Sequence, residues 1–311
     1  MKIDYKLMKN ICLANIEDFG VFGEIDNTPS GILIYRQNKR AKILGVAHLD
    51  TVLTSNHFKL KKNKTRVYNQ QLDDRLGVYT MLDLLPQMGI EFDVLFTEGE
   101  ETGQSTAQYF ETTKDYNWIF SFDRRGDDVV LYNYQDWERE NSWEKSLARN
   151  FKIGLGSCSD IYFMEDLGIK AVNIGTGYIG EHLKSCYADM NVLSSQVNKF
   201  TDFYHKNKDI KYPHTKTQFA GSAYLAQWEN GDYEYSRFDS IYGHNKRLMG
   251  CYLCEDGLGI NKIEEGIYLC DKCFNSAQKC ESCNDIFLNT EIFDGLCIAC
   301  AHGFDDGYPL K

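Results

Sequence analysis

Four short apolar runs recur between residues 42 and 175: KILGVA (Lys42–Ala47), FDVLFT (Phe92–Thr97), NWIFSF (Asn117–Phe122) and IKAVNIG (Ile169–Gly175). Runs of this length, apolar at nearly every position, suit strands at the centre of a sheet that is covered on both faces. Segments with helical spacing lie between them. DDRLGVYTMLDLLPQM sets Leu76, Val78, Met81, Leu82 and Leu85 roughly on one face, GQSTAQYFETT reads as a shorter helix, and NVLSSQVNKFTDFYHKN closes the region. Strand–helix alternation over residues 1–210 predicts an α/β layered domain on a largely parallel or mixed sheet. In such sheets functional groups gather at the carboxyl ends of the strands.

The pattern changes after residue 210. Residues 211–250 are rich in Tyr, Gly and Asn with weak periodicity and read as a connector. Residues 251–311 hold eight of the 11 cysteines, arranged as four Cys-x-x-Cys pairs. The expected division is therefore a domain at 1–210, a connector at 211–250 and a cysteine-rich module at 251–311.

Bulk composition narrows the function. The 43% hydrophobic and 25% charged content is that of an ordinary globular protein. No run reaches the roughly 18–20 apolar residues of a membrane span, and the mixed, charged N-terminus does not read as a signal peptide. A cytoplasmic location is expected, with no membrane contact. The net charge of −11 argues against a nucleic-acid partner, whose footprint is basic.

Acidic and histidine residues stand at the strand ends in chain order. His48 and Asp50 follow KILGVA, and Asp73 and Asp74 open a helix. Glu100 and Glu101 follow DVLFT, Asp123 ends the third run, and His182 follows VNIGTGYIG. Side chains two apart on a strand share a face, so His48 can bind a metal while Asp50 accepts its second ring N–H and fixes the tautomer. Imidazole and carboxylate suit zinc, with cobalt or manganese as substitutes. His48, Asp73, Glu101, Asp123 and His182 carry three negative charges, which two divalent ions and one hydroxide bring to zero (+4 −3 −1). Each residue alone could be a solvated surface group; five in one ordered series are harder to dismiss.

AHLDTV, LDDRLGV, EGEETG, FD and EH, in this order, resemble the co-catalytic dizinc exopeptidases, a superfamily that includes aminoacylases, peptidase T, acetylornithine deacetylase and zinc aminopeptidases. The likeness covers about residues 40–190 and implies a three-layer α/β/α domain with a mixed sheet. It implies that Asp73 bridges two metals, that His48 and Asp123 complete one site, and that Glu101 and His182 complete the other. Glu100 would be the general base and Asp50 the orienting residue. SCSDIYFMEDLGIKAVNIGTG is similar to the superfamily's substrate-side loop, which makes Ser159 and Asp160 candidate substrate contacts, with helix capping as the alternative. The reaction expected is cleavage of an amide or peptide bond by metal-activated water, as in an aminopeptidase or dipeptidase.

The chain departs from many of those relatives, which carry a lid or dimerisation domain between later ligands. Asp123 to His182 spans 59 positions and His48 to Asp73 only 25, too few for such an insert. Tyr178 is a candidate substitute for a lid's oxyanion donor, with packing as its alternative role.

The cysteine pairs are Cys251/Cys254, Cys270/Cys273, Cys280/Cys283 and Cys297/Cys300. Each turn presents two thiolates and two turns complete a four-thiolate site, so two structural zincs are expected in zinc-ribbon or treble-clef units. Sequential and cross-braced pairings are both open. Residues 241–311 carry six Lys/Arg against eleven Asp/Glu, which favours a protein partner over nucleic acid. Cys12, Cys158 and Cys186 are expected as core or half-buried thiols, and His57, His205, His214, His244 and His302 as surface histidines. Two other functions compete: an N-acyl amino acid deacylase using the same centre, and an inactive adaptor that binds a partner through the zinc module.

Overall fold

Side-chain alternation along the central strands decides the layering, as seen in a computed structural model that describes residues 1–55, 57–61, 64–132, 142–154, 159–214, 261–264, 267–281 and 286–297. The chain divides into two compact units, Met1–Asn230 and Gly231–Lys311.

In the first unit, β1 (Glu24–Thr28) and β2 (Gly31–Arg36) form a hairpin, followed by β3 (Leu44–His48) and the short β4 (Lys59–Leu60) and β5 (Arg66–Tyr68). Then come β6 (Asp93–Thr97), β7 (Ile119–Arg124), β8 (Asp128–Tyr132), β9 (Lys152–Ile153), β10 (Ala171–Gly175), β11 (Tyr178–Ile179) and β12 (Tyr187–Asp189). Eight of them make one mixed sheet in the order β1-β2-β6-β3-β7-β10-β8-β9. Its four middle strands, β6, β3, β7 and β10, are mutually parallel, so their carboxyl ends share one edge. β2 lies antiparallel to β6 and β8 antiparallel to β10. A second sheet, β11-β12-β5-β4, follows the same chain in short antiparallel pieces.

All four runs read from the sequence are these middle strands, each beginning one or two residues later than its apolar run. Successive residues alternate between two cores, as the two-residue strand period requires. Ala47, Val94, Phe96, Phe120, Phe122, Val172 and Ile174 enter one cluster, and Leu44, Val46, Leu95, Ile119 and Ala171 the other. The first cluster is covered by long elements. α1 (Tyr5–Leu13) starts at Asp4, whose carboxylate accepts from Lys6 N and Leu7 N at 3.0 Å each. α2 (Leu72–Tyr79) runs into a wider π turn, Thr80–Leu84, and a last α turn, α3 (Leu85–Gln87). The sequence predicts one helix over this stretch. The widening falls just before Pro86, whose ring would collide with the carbonyl four residues back and which has no N–H to give it; Leu85 N–H instead reaches back five residues to Thr80 O.

α4 (Ser142–Leu147) and α5 (Met190–Asn207) complete that face. Asp189 caps α5 by accepting from Asn191 N at 2.8 Å. The α5 rings pack into an aromatic cluster, Trp118–Phe203 at 5.3 Å and Phe120–Phe200 at 4.7 Å, each worth about 0.5–1.5 kcal/mol beyond its buried area. The opposite face is thinner. Among the described residues it is covered by two 3-10 segments, Thr106–Tyr109 and Asp160–Leu167, in place of the full helical layer that the resemblance implies. GQSTAQYFETT thus shortens to one 3-10 turn, begun by Ser105, whose hydroxyl accepts from Ala107 N at 3.0 Å.

Among the described residues of the second unit, Asn261–Glu264 pairs with Ile267–Leu269, and a one-turn helix, Asp271–Phe274, follows. Ala277–Lys279 pairs with Ile286–Leu288, and Ile292–Phe293 with Leu296–Cys297. Leu269, Cys273 and Ile286 form its small buried core. Cys251, Cys254, Cys283 and Cys300 lie outside the described residues, as do Cys158 and most of the expected connector. No described helix is long and apolar enough to cross a membrane.

Candidate metal centre

The shared carboxyl edge of the parallel strands carries the candidate site. β3 ends in His48, β6 leads into the loop 98–104 that bears Glu100 and Glu101, and Asp123 lies near the end of β7. Asp73 enters from the first turn of α2, and His182 from the loop after β11. Five residues spread over 135 positions therefore meet because three parallel strands stop at one edge.

His48 is fully buried. Its Nδ1 lies 2.9 Å from the main-chain carbonyl of Asp50, an acceptor only, so Nδ1 carries a proton and Nε2 is the nitrogen turned to the acidic cluster. The sequence expectation put the Asp50 carboxylate in this role. The carboxylate is instead 3.6 Å from Nδ1 and turns to the other loop, accepting from Glu100 N at 3.4 Å and Glu101 N at 3.1 Å. One residue thus orients the imidazole through its carbonyl and braces the glutamate loop through its side chain.

Asp73 stands between the two histidines. Its Oδ1 lies 3.4 Å from His48 Nε2 and its Oδ2 lies 3.3 Å from His182 Nε2. Asp123 Oδ1 is 3.5 Å from His48 Nε2, and Glu101 Oε2 is 2.8 Å from His182 Nε2. Two groups result, His48–Asp73–Asp123 and Asp73–Glu101–His182, each with ligand atoms within 4.8 Å of one another and with Asp73 common to both. Glu100 Oε2 sits at the side, 3.9 Å from His48 Nε2.

Each member is held from outside the cluster. Asn173 on β10 braces Asp123 twice, accepting from its N–H at 3.0 Å and donating to its carbonyl at 2.8 Å. His182 has φ +61°, a left-handed conformation uncommon for a residue with a Cβ. Its neighbour Glu181 pairs with Arg125. Gly77 completes the Asp-x-Arg-x-Gly pattern for a steric reason, since a Cβ there would run into the Asp74 carboxylate. Gly99 takes φ +81° at the start of the glutamate turn, where a Cβ would stand 2.7 Å from Gln104 O. The Asp73–Asp74 peptide is cis.

The electrostatics are those of anions crowded out of water. Burial pushes the Asp123 carboxyl up to about 8, and burial also raises Glu100 and Asp74. Burial alone would lower His48, but the carboxylates of Asp123, Asp50 and Asp73 push it well above the usual imidazole value. The facing carboxylates of Asp73 and Glu101 push His182 up to about 11. For Asp73 burial works upward, yet His182 and His48 prevail and hold it below the ordinary carboxylate range. Protons are thus being recruited to offset charge that the fold itself leaves unbalanced.

The donor set fits divalent metal. Nε2 of His48 and Oε1 of Glu101 are buried and make no hydrogen bond, a costly arrangement unless another group satisfies them. Imidazole nitrogen and carboxylate oxygen are zinc-type ligands.

The remaining expected residues lie elsewhere in character. Asp160 is buried, and both its oxygens accept from hydroxyls: Oδ2 from Thr97 at 2.6 Å, Oδ1 from Ser105. That leaves little of it for a substrate. Ser159 is fully buried at the start of the same 3-10 segment and makes no capping bond with its side chain. Tyr178 is buried in the main core, and burial followed by Asp73 and Asp123 raises its hydroxyl well above the usual phenol value. Its phenol is therefore packed and still feels the acidic cluster. Cys12 and Cys186 are buried, as expected. His214 is not a surface residue: it is buried against Glu165, Nε2 to Oε1 at 2.7 Å. Sequence reasoning missed Asn173, Thr97 and Ser105, ordinary strand and loop residues whose partners are remote in the chain.

Residues 33–125 match the profile of the M42 glutamyl aminopeptidase family. No curated protein matches the chain. Similar solved structures include a tripeptidase from Staphylococcus aureus, 13% identical with a TM-score of 0.48, covering 63% of this chain and 95% of that one. The aminopeptidase PepT from Bacillus cereus is 11% identical, TM-score 0.45, over 64% and 91%. A TET aminopeptidase from a thaumarchaeal marine sediment archaeon is 13% identical, TM-score 0.45, over 67% and 97%. The matched segment supplies His48, Asp73, Glu100, Glu101 and Asp123, and the fold adds His182 to them. Over residues 33–125 this chain is similar to the M42 glutamyl aminopeptidases, and its fold carries a candidate His, Asp and Glu metal site.

Proposed function

We propose that His48, Asp73 and Asp123 hold one divalent ion and that Asp73, Glu101 and His182 hold a second, for the hydrolysis of short peptides from a free amino terminus. Zinc suits the ligands, with cobalt or manganese as substitutes. The observation that carries this reading is the split carboxylate of Asp73, one oxygen toward each histidine. Ions bound there would supply Lewis acidity toward the scissile carbonyl and make water acidic near neutral pH.

The chain's own groups do the rest. Glu100 takes a proton from water at a carboxylate oxygen and returns it to the nitrogen of the leaving amine. Asp50 keeps Glu100 and Glu101 pointing apart by accepting both their amides. Asn173 holds the backbone of Asp123, and the carbonyl of Asp50 accepts from Nδ1 of His48, which leaves Nε2 as the nitrogen to face an ion.

The finer organisation belongs to the same proposal: a hydrolase domain at 1–210, a connector at 211–250 and a module at 251–311 that binds two structural zincs and a protein partner. Four Cys-x-x-Cys pairs support it, as does the turn in which Cys273 N–H points to Cys270 Sγ at 3.5 Å.

The test is metal content of the full chain together with hydrolysis of a free tripeptide, its N-acetylated form and N-acyl amino acids. About four metals per chain are expected, two from each kind of site, with two lost in Asp73→Ala and cleavage confined to the free peptide. Cleavage of N-acyl amino acids alone would replace the exopeptidase reading with a deacylase. Unchanged metal content in Asp73→Ala would remove the dinuclear centre.

A further inference from the structure

The loop that carries Glu100 and Glu101 is closed at its stem by a residue that lies far away in the chain. Inside the loop, Gly103 N donates to Glu100 O and Gln104 N to Gly99 O, both at 2.9 Å. At the stem, Thr106 N donates to Glu98 O at 2.8 Å and Glu98 N donates to Thr106 Oγ1 at 3.0 Å. Beneath the stem sits Asp160, 2% exposed, at the start of the 3-10 segment Asp160–Leu167 on the thin face of the sheet.

Its two oxygens divide between the two sides of the loop. Oδ2 accepts from Thr97 Oγ1 at 2.6 Å, the last residue of β6 before the loop. Oδ1 accepts from Ser105 Oγ, the first residue after it. Thr97 has a single hydroxyl proton and lies farther, at 3.2 Å, from Ala47 O, so the charged oxygen takes it. Ser105 Oγ, its proton committed to Asp160, presents a lone pair to Ala107 N and so begins the turn that follows the loop.

We infer that Asp160 is a positioning residue for the exopeptidase: by bridging Thr97 and Ser105 it sets the separation of the loop's two ends, and with it the placement of Glu100 and Glu101. The inference rests on the metal and base assignments proposed above. A bridge of this kind needs two acceptors on one rigid plane, which a carboxylate provides and an alanine does not. Asparagine supplies one acceptor and one donor; since a serine hydroxyl can also accept, Asp160→Asn keeps both links. Groups that hold metal ligands from behind commonly cost 10–100-fold in affinity or rate when removed.

The experiment uses the full chain with Asp160→Ala, Asp160→Asn, Thr97→Val, Ser105→Ala and the Thr97→Val/Ser105→Ala pair. Three quantities are read at a temperature where circular dichroism shows all of them folded: kcat and KM on a free tripeptide, zinc affinity, and amide exchange of Gly103 and Gln104 in metal-free protein. Asp160→Ala is expected to lower kcat about 10–100-fold, leave KM within about twofold, weaken one zinc of the centre and speed exchange at the two loop amides. Asp160→Asn is expected to restore most of the kcat and protection, and adding Asp160→Ala to the Thr97→Val/Ser105→Ala pair to cost little more. A change in KM alone would make Asp160 a substrate contact, overturning the inference. So would unchanged loop exchange in Asp160→Ala. If wild type binds no zinc at the centre and cleaves no peptide, the functional reading fails instead, while loop exchange still reports on the bridge.

Discussion

Two ends of the same strand layer treat buried carboxylates in opposite ways. At the amino end of β6, Asp93 is fully buried and collects its own donors. It accepts from Tyr35 Oη at 2.8 Å, Tyr116 Oη at 2.5 Å, Asn38 N at 2.7 Å and Lys114 Nζ at 2.8 and 3.0 Å. At the carboxyl end, Asp73, Asp123 and Glu101 face histidines and one another, and buried ligand atoms go without hydrogen bonds. A carboxylate that serves the fold brings its counter-charge with it. One proposed to serve a metal leaves its lone pairs open to an ion.

The comparison can be broken at either end. The largest effect is expected from Glu100→Gln, which keeps shape and removes the base: kcat on a free tripeptide should fall by about 10²–10⁴-fold, with the circular dichroism spectrum and zinc content unchanged. Activity within twofold of wild type would take the base role from Glu100. At the other end, Asp93→Ala should cost about 3–5 kcal/mol in urea unfolding, because Lys114 and two phenols lose a buried partner. Zinc content should hold at temperatures where that variant is folded; parallel loss of zinc would mean that the two ends are not independent.

A pH series sharpens the contrast. In metal-free protein Asp123 rises from 3.8 to about 8, so the folded state holds a proton that the unfolded state releases. Stability is then full below the ordinary carboxylate value and is lost as pH climbs through the raised one. The raised His48 value acts in the same direction. Denaturation of chelated protein between pH 4 and 8 should show stability falling by about 1 kcal/mol per pH unit, with a shallower slope in Asp123→Asn and after zinc is restored. A flat profile would mean that the cluster is solvated. The smallest effect is expected from Asn173→Ala, which frees the backbone of Asp123: about tenfold in zinc affinity by calorimetry, and none if Asp123 is held by its strand alone.

Much of this candidate site is legible in the sequence. His48 and Asp123 could be placed because apolar runs mark strands and their ends mark the functional edge. Asp73 and Glu101 followed from local patterns that include Gly77 and Gly99, whose steric reasons the structure then supplied. The role of Asp50 was half legible: spacing put it beside His48, but backbone geometry gives the carbonyl, not the carboxylate, to the imidazole. The break in the helix at Pro86 was visible as a residue and still read through. Asp160 reads from the sequence as a substrate contact or a helix cap; the structure adds that its two oxygens accept from the hydroxyls of Thr97 and Ser105. His214 looked exposed because nothing near it in sequence predicts Glu165, 49 positions back.

The sequence by itself determined which side chains could act. Alternation and apolar run length depend on neighbours along the chain, and so do tight turns and the chemistry of His, Asp and Glu. Only the tertiary structure decided which of them are shared, braced or already spent. Asp73 between two histidines, Asn173 behind Asp123 and Asp160 beneath the glutamate loop are contacts across 50 residues or more, apart from the 25 positions between Asp73 and His48. Such partners meet through the parallel register of β6, β3, β7 and β10, a property of the packed sheet that no local stretch of chain contains.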